Sequence, residues 1–378
     1  MTTENRLNSQ RPYRVIVWGP GAVGGGCLRE VLKQPEFQLV GVLAYSKHKE
    51  GVDAGELVGM APTGVKVTCD KEKIMALDAD CVLHCALSAS SQDQMDADVI
   101  RLLESGKNVV SSASYHNPFL KGKDYVARLE AACSKGKASL HGSGVHPNFI
   151  LERLGLTLTG LCNRLEHIKV QEIIDISRTQ SADMMTMFGF GGPLEALAPG
   201  GPVNTIMERY YREPLAMACH AFFRSVPERI EQTTEASIAQ RDMPIACMTI
   251  EKGTVCSIKQ TFVGYLDDRP RITVVEHWYP GKDERPYPQV STGDYYIFDI
   301  EAEPNSIHME MGYKASLAKN LDYYPGDPTV AAWYATAAPM IQAIPRVCAA
   351  PPGLVFPSVW AHYAKDLRSL ATEQSIAT

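Results

Sequence analysis

Positive charge is in short supply in this chain. Its 37 lysines and arginines stand against 43 acids, for a formal net charge of −6 over 378 residues. That balance argues against a nucleic-acid surface, and no basic cluster is long enough to reverse it. Long apolar runs are also missing: none approaches the roughly 20 residues of a membrane span. The first ten residues, MTTENRLNSQ, have no apolar core of the kind a secretory leader carries, so a cytoplasmic location is expected. Ten cysteines, among them Cys27, Cys81, Cys85, Cys162 and Cys256, form no CxxC pair. Several sit in apolar runs where a thiol behaves as a small hydrophobe, so disulfides and a zinc ribbon are not expected. Internal repeats and low-complexity tracts are absent. What is left is a soluble globular protein whose 45% apolar residues supply real cores, with a length that suggests about two to three domains. Its expected partner is a small molecule, with no nucleic acid and no membrane.

The strongest positive signal is Val15 to Gly24, VIVWGPGAVG. A lone GxGxxG is weak in a chain with 29 glycines, so its flanks carry the argument. Tyr13 to Trp18 reads as a strand buried on both faces of a parallel sheet. Ala22 to Gln34 reads as a helix with Val23, Cys27, Leu28, Val31 and Leu32 on one stripe, weakened in its first turn by Gly25 and Gly26. In such a βαβ unit Gly19 allows the tight turn, Gly21 admits the pyrophosphate and Gly24 brings helix and strand together. The helix start at Ala22 and Val23 then offers free N–H groups to phosphate. The expected cofactor is a nicotinamide dinucleotide.

Further parallel strands are expected at Phe37 to Tyr45, Asp80 to Ala86, Lys107 to Ser111 and Ala138 to Gly142, alternating with helices at Gln92 to Ser105 and Tyr125 to Lys135. This rhythm predicts an α/β fold with a Rossmann-type, doubly wound parallel sheet. From about Phe149 it stops. HIKVQEIIDIS, VCSIKQTFVGYL, RITVVEHWY and YYIFDIEAE read as long strands of a mostly antiparallel sheet, part of an α+β substrate domain. Asp267-Asp268-Arg269-Pro270 links two of them at hairpin distance, with its turn type left open. The Met- and Gly-rich stretch from Ser181 to Val226 is either a loop near substrate or a connector. Its aromatic and Met residues from Met184 to Phe190 suggest either an apolar pocket or ordinary core. Thr329 to Val347 reads as a small-residue helix ending at Pro345 that packs back on the first domain.

An acid at the tip of the second strand would hydrogen-bond the ribose 2′-hydroxyl of NAD and repel the extra phosphate of NADP. Here the tip reads Ala44-Tyr45-Ser46-Lys47-His48-Lys49 before the first acid, Glu50. Ser46, Lys47 and Lys49 offer charge-assisted donors to a phosphate, so NADP(H) is the preferred cofactor and NAD(H) a possible one. Proton-handling candidates follow the strands that end at Ser111 and Gly142: Tyr115 and His116 in one loop, His146 and Asn148 in the other. Such loops are where ligands bind in this architecture, and a Tyr hydroxyl or His imidazole can exchange a proton as hydride moves. Each also has a structural reading, in packing, capping or backbone hydrogen bonding. Glu172 and Asp175 lie three apart on one strand and should face opposite sides, so only one could point at substrate. His277 reads as a pocket residue or a structural one, and His84 as a core residue. No metal is expected, because no second His or acid stands at ligand spacing.

The chain resembles the NAD(P)-dependent oxidoreductases related to dihydrodipicolinate reductase, most closely the branch of 2,4-diaminopentanoate dehydrogenase and the native amine dehydrogenases. The likeness rests on VWGPGAVG, LVGVLAYSKHKEGVDAGEL, GKNVVSS, GSGVHPNF, LTLTGLC and AIPRVCAAPPGL. It implies a dinucleotide-binding domain over residues 1–150, a substrate and dimerisation domain over 151–325, C-terminal elements over 326–378 returning to the first, and a homodimer. It also implies hydride transfer at a C=N or C=O carbon, with Leu87, Ser88 and Ser112 at the nicotinamide. Amine-dehydrogenase relatives carry a glutamate in a pattern like VVSTCEE, where this chain reads VVSSASYHNP. Ser114 or Tyr115 takes the acid's place. Either Glu172 or Asp175 could restore the carboxylate; otherwise the chemistry would move to a carbonyl or alcohol with Tyr or His as proton donor, or the nucleotide would serve a redox-neutral or silent site. The HHxxK signature of dihydrodipicolinate reductases is absent.

Overall fold

The apolar run YRVIVW forms β1 (Tyr13–Trp18), with Val15, Ile16, Val17 and Trp18 all fully buried. The computed structural model describes residues 11–86, 91–113, 115–287, 294–313 and 331–369. After β1 come α1 (Ala22–Lys33), β2 (Phe37–Leu43), β3 (Val67–Thr68), β4 (Cys81–His84), α2 (Gln92–Glu104), β5 (Asn108–Ser111), α3 (Lys123–Gly136) and β6 (Ser139–Gly142). All pair in parallel in the order β6-β5-β4-β1-β2-β3, which is the doubly wound order that places ligands at the strands' carboxyl ends. The short β3 escaped the sequence reading because two residues carry no periodicity.

A kinked helical stretch, Val145–Gly155, leads to β7 (Arg164–Asp175), and α4 (Pro202–Phe223) precedes β8 (Arg229–Ile238), β9 (Val255–Leu266), β10 (Arg269–Tyr279), β11 (Asp294–Glu303) and β12 (Ile307–Tyr313). They form a sheet ordered β12-β11-β7-β10-β9-β8, antiparallel except for the β7–β10 pair. The β9–β10 hairpin turns through Asp267 and Asp268, with φ of 52° and 56°, the paired left-handed conformation of a type I′ turn. Apolar side chains of one face, including Phe262, Phe298, Val170 and Val274, are buried, and α4 lies on that face through Tyr211 against Phe262. Fully burying a side chain of this size contributes roughly 2–3 kcal/mol.

The chain then forms α5 (Ala331–Ala349) and β13 (Gly353–Leu354), which extends the parallel sheet beside β6. Contacts divide the molecule into two units, Met1–Phe149 with Trp333–Phe356, and Ile150–Ala332 with Pro357–Thr378. Two expectations change here. Pro345 does not end α5, because Met340, Ile341, Ile344 and Val347 are buried along it and offset the hydrogen bond a proline removes. The stretch after Phe356 returns to the second unit, where Tyr363 N donates to Thr159 Oγ1.

Candidate active site

The turn after β1 is built for close approach. Gly19 has φ +89°, and a Cβ there would lie 2.8 Å from the Cys85 carbonyl oxygen; one on Gly24 would collide with the Gly19 carbonyl. At Gly21, in contrast, nothing lies within 4 Å, so that edge stays open. Helix α1 starts here with no side-chain cap and no acid in its first turn. Ala22 is exposed and Val23 half-buried, and first-turn N–H groups have no intrahelical partner. Lys49 Nζ donates to the Pro20 carbonyl at 2.9 Å, tying the β2 tip to this turn, and burial lowers its pKa. Ser46 and Lys47 beside it are exposed. Glu50 turns away to accept from Thr68 Oγ1 and Cys69 N. An open glycine edge, a bare helix start and a basic tip fit a dinucleotide phosphate.

At the carboxyl ends of β4, β5 and β6 several polar groups converge. His84 is fully buried, Nδ1 2.8 Å from Ser111 Oγ, and burial lowers its pKa to about 4. Ser111 Oγ also accepts from Ala113 N, and Ser112 N donates to the His84 carbonyl. Beyond β5, His116 is pushed down to about 3 by burial and by the neighbouring imidazoles His141 and His146. Gly142 makes this possible, since a Cβ there would come within 2.5 Å of the Tyr115–His116 backbone. His146 breaks its helical stretch with φ −121° and ψ 133°, and Asn148 is buried. Among the described residues His84 Nε2, His116 Nδ1, Asn117 Oδ1 and Ser143 Oγ are buried without a hydrogen-bond partner. Such unmatched atoms fit a polar ligand, here the nicotinamide end of a dinucleotide.

The second unit carries a polar row across an apolar sheet face. Register places Gln260 of β9 beside Glu276 of β10, Glu276 beside Glu172 of β7, and Glu172 beside Tyr296 of β11. Tyr296 Oη donates to Glu172 Oε1. Glu276 is 1% exposed; burial and the adjacent Glu172 raise its pKa well above the usual carboxylate value, against the pull of Trp278 and Tyr211. Like charges so placed cannot both ionise cheaply, so Glu276 keeps its proton to a higher pH than an ordinary carboxyl. Beside Glu276 lies a cavity of about 10 Å3 lined by Phe188, Phe190, Met207, Ile258, Gln260 and Trp278. Phe188 meets Trp278 edge-on at 5.0 Å and Phe190 stacks on it at 6.4 Å.

A model of the 2,4-diaminopentanoate dehydrogenase C-terminal domain matches residues 149–359, more than half of the chain. The chain belongs to the 2,4-diaminopentanoate dehydrogenase family. Residues 13–114 match the N-terminal model of dihydrodipicolinate reductase. An amine dehydrogenase of Streptomyces virginiae is 30% identical over 269 residues, 69% of this chain and 73% of that protein. The 2,4-diaminopentanoate dehydrogenase of Acetoanaerobium sticklandii is 26% identical over 355 residues, 90% of this chain and 91% of that one. In fold, the amine dehydrogenase structure from Mycobacterium smegmatis gives a TM-score of 0.68 at 20% identity, covering 93% of this chain and 97% of that one. The chain is thus an NAD(P)-dependent oxidoreductase. No described helix is long and apolar enough to cross a membrane.

For this member of the 2,4-diaminopentanoate dehydrogenase family, the structure sorts the expected residues. Tyr115 is 1% exposed and donates from Oη to Asp96 Oδ1 at 2.8 Å, with its pKa strongly raised by burial. Of its two expected readings, proton handling and packing, the contact favours the second: its hydroxyl is committed to a buried acid on α2. Asp175 accepts from Ser177 N and Gly281 N, both at 2.9 Å, and so holds two loops. Glu172 occupies the opposite face. His277 lies 3.3 Å from Ser257 Oγ and is half-buried. Leu87, Ser88 and Ser114 lie outside the described residues. Sequence reasoning missed Glu276, Tyr296, Gln260 and Trp278. The available signal was an acid interrupting the apolar run of VVEHWY.

Proposed function

We propose that this chain is an NAD(P)-dependent amine dehydrogenase, converting a carbonyl compound, ammonia, a proton and reduced nucleotide into an amine, water and oxidised nucleotide, and the reverse. The observation that carries this reading is the Glu172–Glu276 pair. A site that forms and releases cationic nitrogen needs a carboxylate that can hold the charge and a group that can store the proton. The acid expected after β5 is missing, and Glu172 takes its role, oriented by the Tyr296 hydroxyl, while Glu276 keeps a proton in reserve. Gly19, Gly21, Gly24 and the α1 start hold the pyrophosphate; Ser46, Lys47 and Lys49 favour NADP(H) over NAD(H). His116, His146, Asn148 and Ser112 orient the nicotinamide and the substrate's polar end. The bound nucleotide supplies the hydride.

Purified protein given a ketone and NADPH will oxidise the nucleotide only when ammonium is also present. Equal consumption without ammonium would overturn the amine reading in favour of carbonyl reduction, with neutral His116 as a hydrogen-bond donor to the carbonyl oxygen. That second reading rests on one observation, a buried imidazole that is neutral near pH 7 and has an unmatched Nδ1.

A further inference from the structure

All ten cysteines are free thiols, yet two of them meet directly behind the nucleotide turn. Cys27 on α1 and Cys85 at the carboxyl end of β4 place their sulfurs 3.9 Å apart, across 58 residues of sequence. No CxxC spacing announces the pair, because the fold and not the local chain brings α1 against β4. Both residues belong to the first unit. The Cys85 carbonyl oxygen lies 2.8 Å from where a Cβ on Gly19 would stand, and the Cys85 Cβ lies 3.3 Å from one on Gly24. Cys85 N also donates to the Trp18 carbonyl at 2.8 Å. Cys85 therefore touches both of the glycines that shape the turn.

The two thiols are unequal. Cys27 has no exposed surface, whereas Cys85 is half-buried, so a small oxidant reaches Cys85 first. The hydrogen bond to Cys85, with burial, keeps the proton on Cys27 well above a thiol's ordinary pKa, which unfits Cys27 for the first attack. It suits Cys27 to the second step, in which a resolving thiol brings its own proton to the departing oxygen. A disulfide needs about 2.0 Å between sulfurs, so the pair must close by about 2 Å. Closing draws Cys85 toward α1. Because Cys85 is packed against Gly19 and Gly24, the turn shifts with it.

We infer that Cys27 and Cys85 form an oxidisable dithiol whose reaction with a hydroperoxide ties α1 to β4 and weakens dinucleotide binding at the turn. In the first step the Cys85 sulfur attacks the terminal peroxide oxygen. The O–O bond breaks, the thiol proton leaves with the other oxygen as an alcohol, and Cys85 becomes a sulfenic acid. In the second the Cys27 sulfur attacks the Cys85 sulfur, the S–O bond breaks, and the oxygen departs as water with the Cys27 proton. Two thiols and one hydroperoxide thus give one disulfide, one alcohol and one water; the sulfurs lose two electrons and the peroxide gains them. A dithiol reductant reverses the crosslink by exchange. The inference goes beyond the amine-dehydrogenase reading and needs only the nucleotide turn. By linkage, bound dinucleotide opposes the crosslink by the same factor by which the crosslink weakens its binding.

Hydrogen peroxide is the probe, which yields water in place of the alcohol. After brief treatment, alkylation and digestion, mass spectrometry of the wild type should find the peptide of Cys27 joined to that of Cys85. By calorimetry the Kd for NADP+ should rise at least tenfold in the crosslinked protein and return with dithiothreitol. Saturating NADP+ should shift the equilibrium with dithiothreitol toward the thiols by the same factor. Cys27→Ser should bind NADP+ within about twofold of the untreated wild type and hold that Kd through peroxide; Cys27→Ala serves if the serine variant does not fold. Another thiol pair, Cys81 of β4 with Cys348 of α5, is joined by a hydrogen bond that lowers the Cys348 pKa, so Cys348→Ser is the control and should lose affinity as the wild type does. No Cys27–Cys85 crosslink, or a crosslink that leaves the Kd unchanged, overturns the inference. Protection by Cys348→Ser and not by Cys27→Ser overturns it too, and moves the oxidation to α5. The crosslink with its change in Kd, in a protein that turns over no amine, upholds the dithiol and removes the dehydrogenase.

Discussion

The two sheets treat buried acids in opposite ways. Around the parallel sheet each buried carboxylate is given donors: Asp96 accepts from Tyr115, Tyr125 and Gln92 at 2.8 to 2.9 Å, and Asp98 takes both contacts from Lys71 Nζ at 2.6 and 2.8 Å. Asp53 accepts from the backbone of Gly55, Thr63 and Gly64, which hold its pKa down to about 2. In the mixed sheet Glu276 is set beside a second acid, Glu172, by register alone. Matched acids stabilise a fold; acids set against each other cost stability and are kept where a proton must be held near its release point.

Replacing one acid from each sheet gives the largest test of that contrast. Glu172→Gln should cut kcat by about a hundredfold or more while leaving the urea midpoint nearly unchanged, since the amide still accepts from Tyr296. Asp96→Ala should do the reverse. It strands the buried hydroxyl of Tyr115 and lowers stability by about 3 kcal/mol, with kcat per folded molecule close to wild type; loss of kcat at full stability would erase the distinction.

Next in size is the sign of the pH dependence, read from urea unfolding across pH. His84 has a folded pKa near 4 against an ordinary 6.5. The unfolded chain therefore binds the extra proton first, and stability falls as pH drops from about 6.5 to 4, by about 1.4 kcal/mol per unit. Glu276 works the other way: its folded pKa is raised, so the folded chain keeps the proton longer and stability falls as pH rises from the ordinary carboxylate range. Glu276→Gln should remove that upper limb and leave the acid-side loss intact. A third, smaller effect belongs to the nucleotide turn. Lys49→Ala should raise the KM for NADPH by roughly tenfold and that for NADH less, the worth of one charge-assisted contact; equal changes would assign Lys49 to the turn alone.

The first unit was legible because its signals are local. Gly19, Gly21 and Gly24 sit within one turn, and the strands before and after them announce themselves by composition. The family resemblance rested on the same kind of short segments. The carboxyl pair was not legible, because Glu172 and Glu276 meet through the parallel pairing of β7 with β10, strands far apart in the chain, and no periodicity within either strand reveals its partner. The partner of Tyr115 was hidden for a related reason: the acid that claims its hydroxyl comes from the preceding helix, 19 residues earlier, and a loop tyrosine in sequence shows nothing of where it turns. Glu172 was singled out, but its companion was passed over for His277, the more conspicuous residue of the same strand.

Helix α5 packs Tyr334 and Ala337 against Gly26 of α1, and β13 closes the edge of the parallel sheet beside β6. The nucleotide turn is therefore buttressed by a helix that follows it only after the whole of β7 to β12. On the ribosome, a nascent chain that has already emerged through Phe149 holds every glycine of the turn and still lacks the helix that backs it. Its finished form must wait until α5 has emerged, and a single cut between Phe149 and Trp333 takes that support from the nucleotide turn.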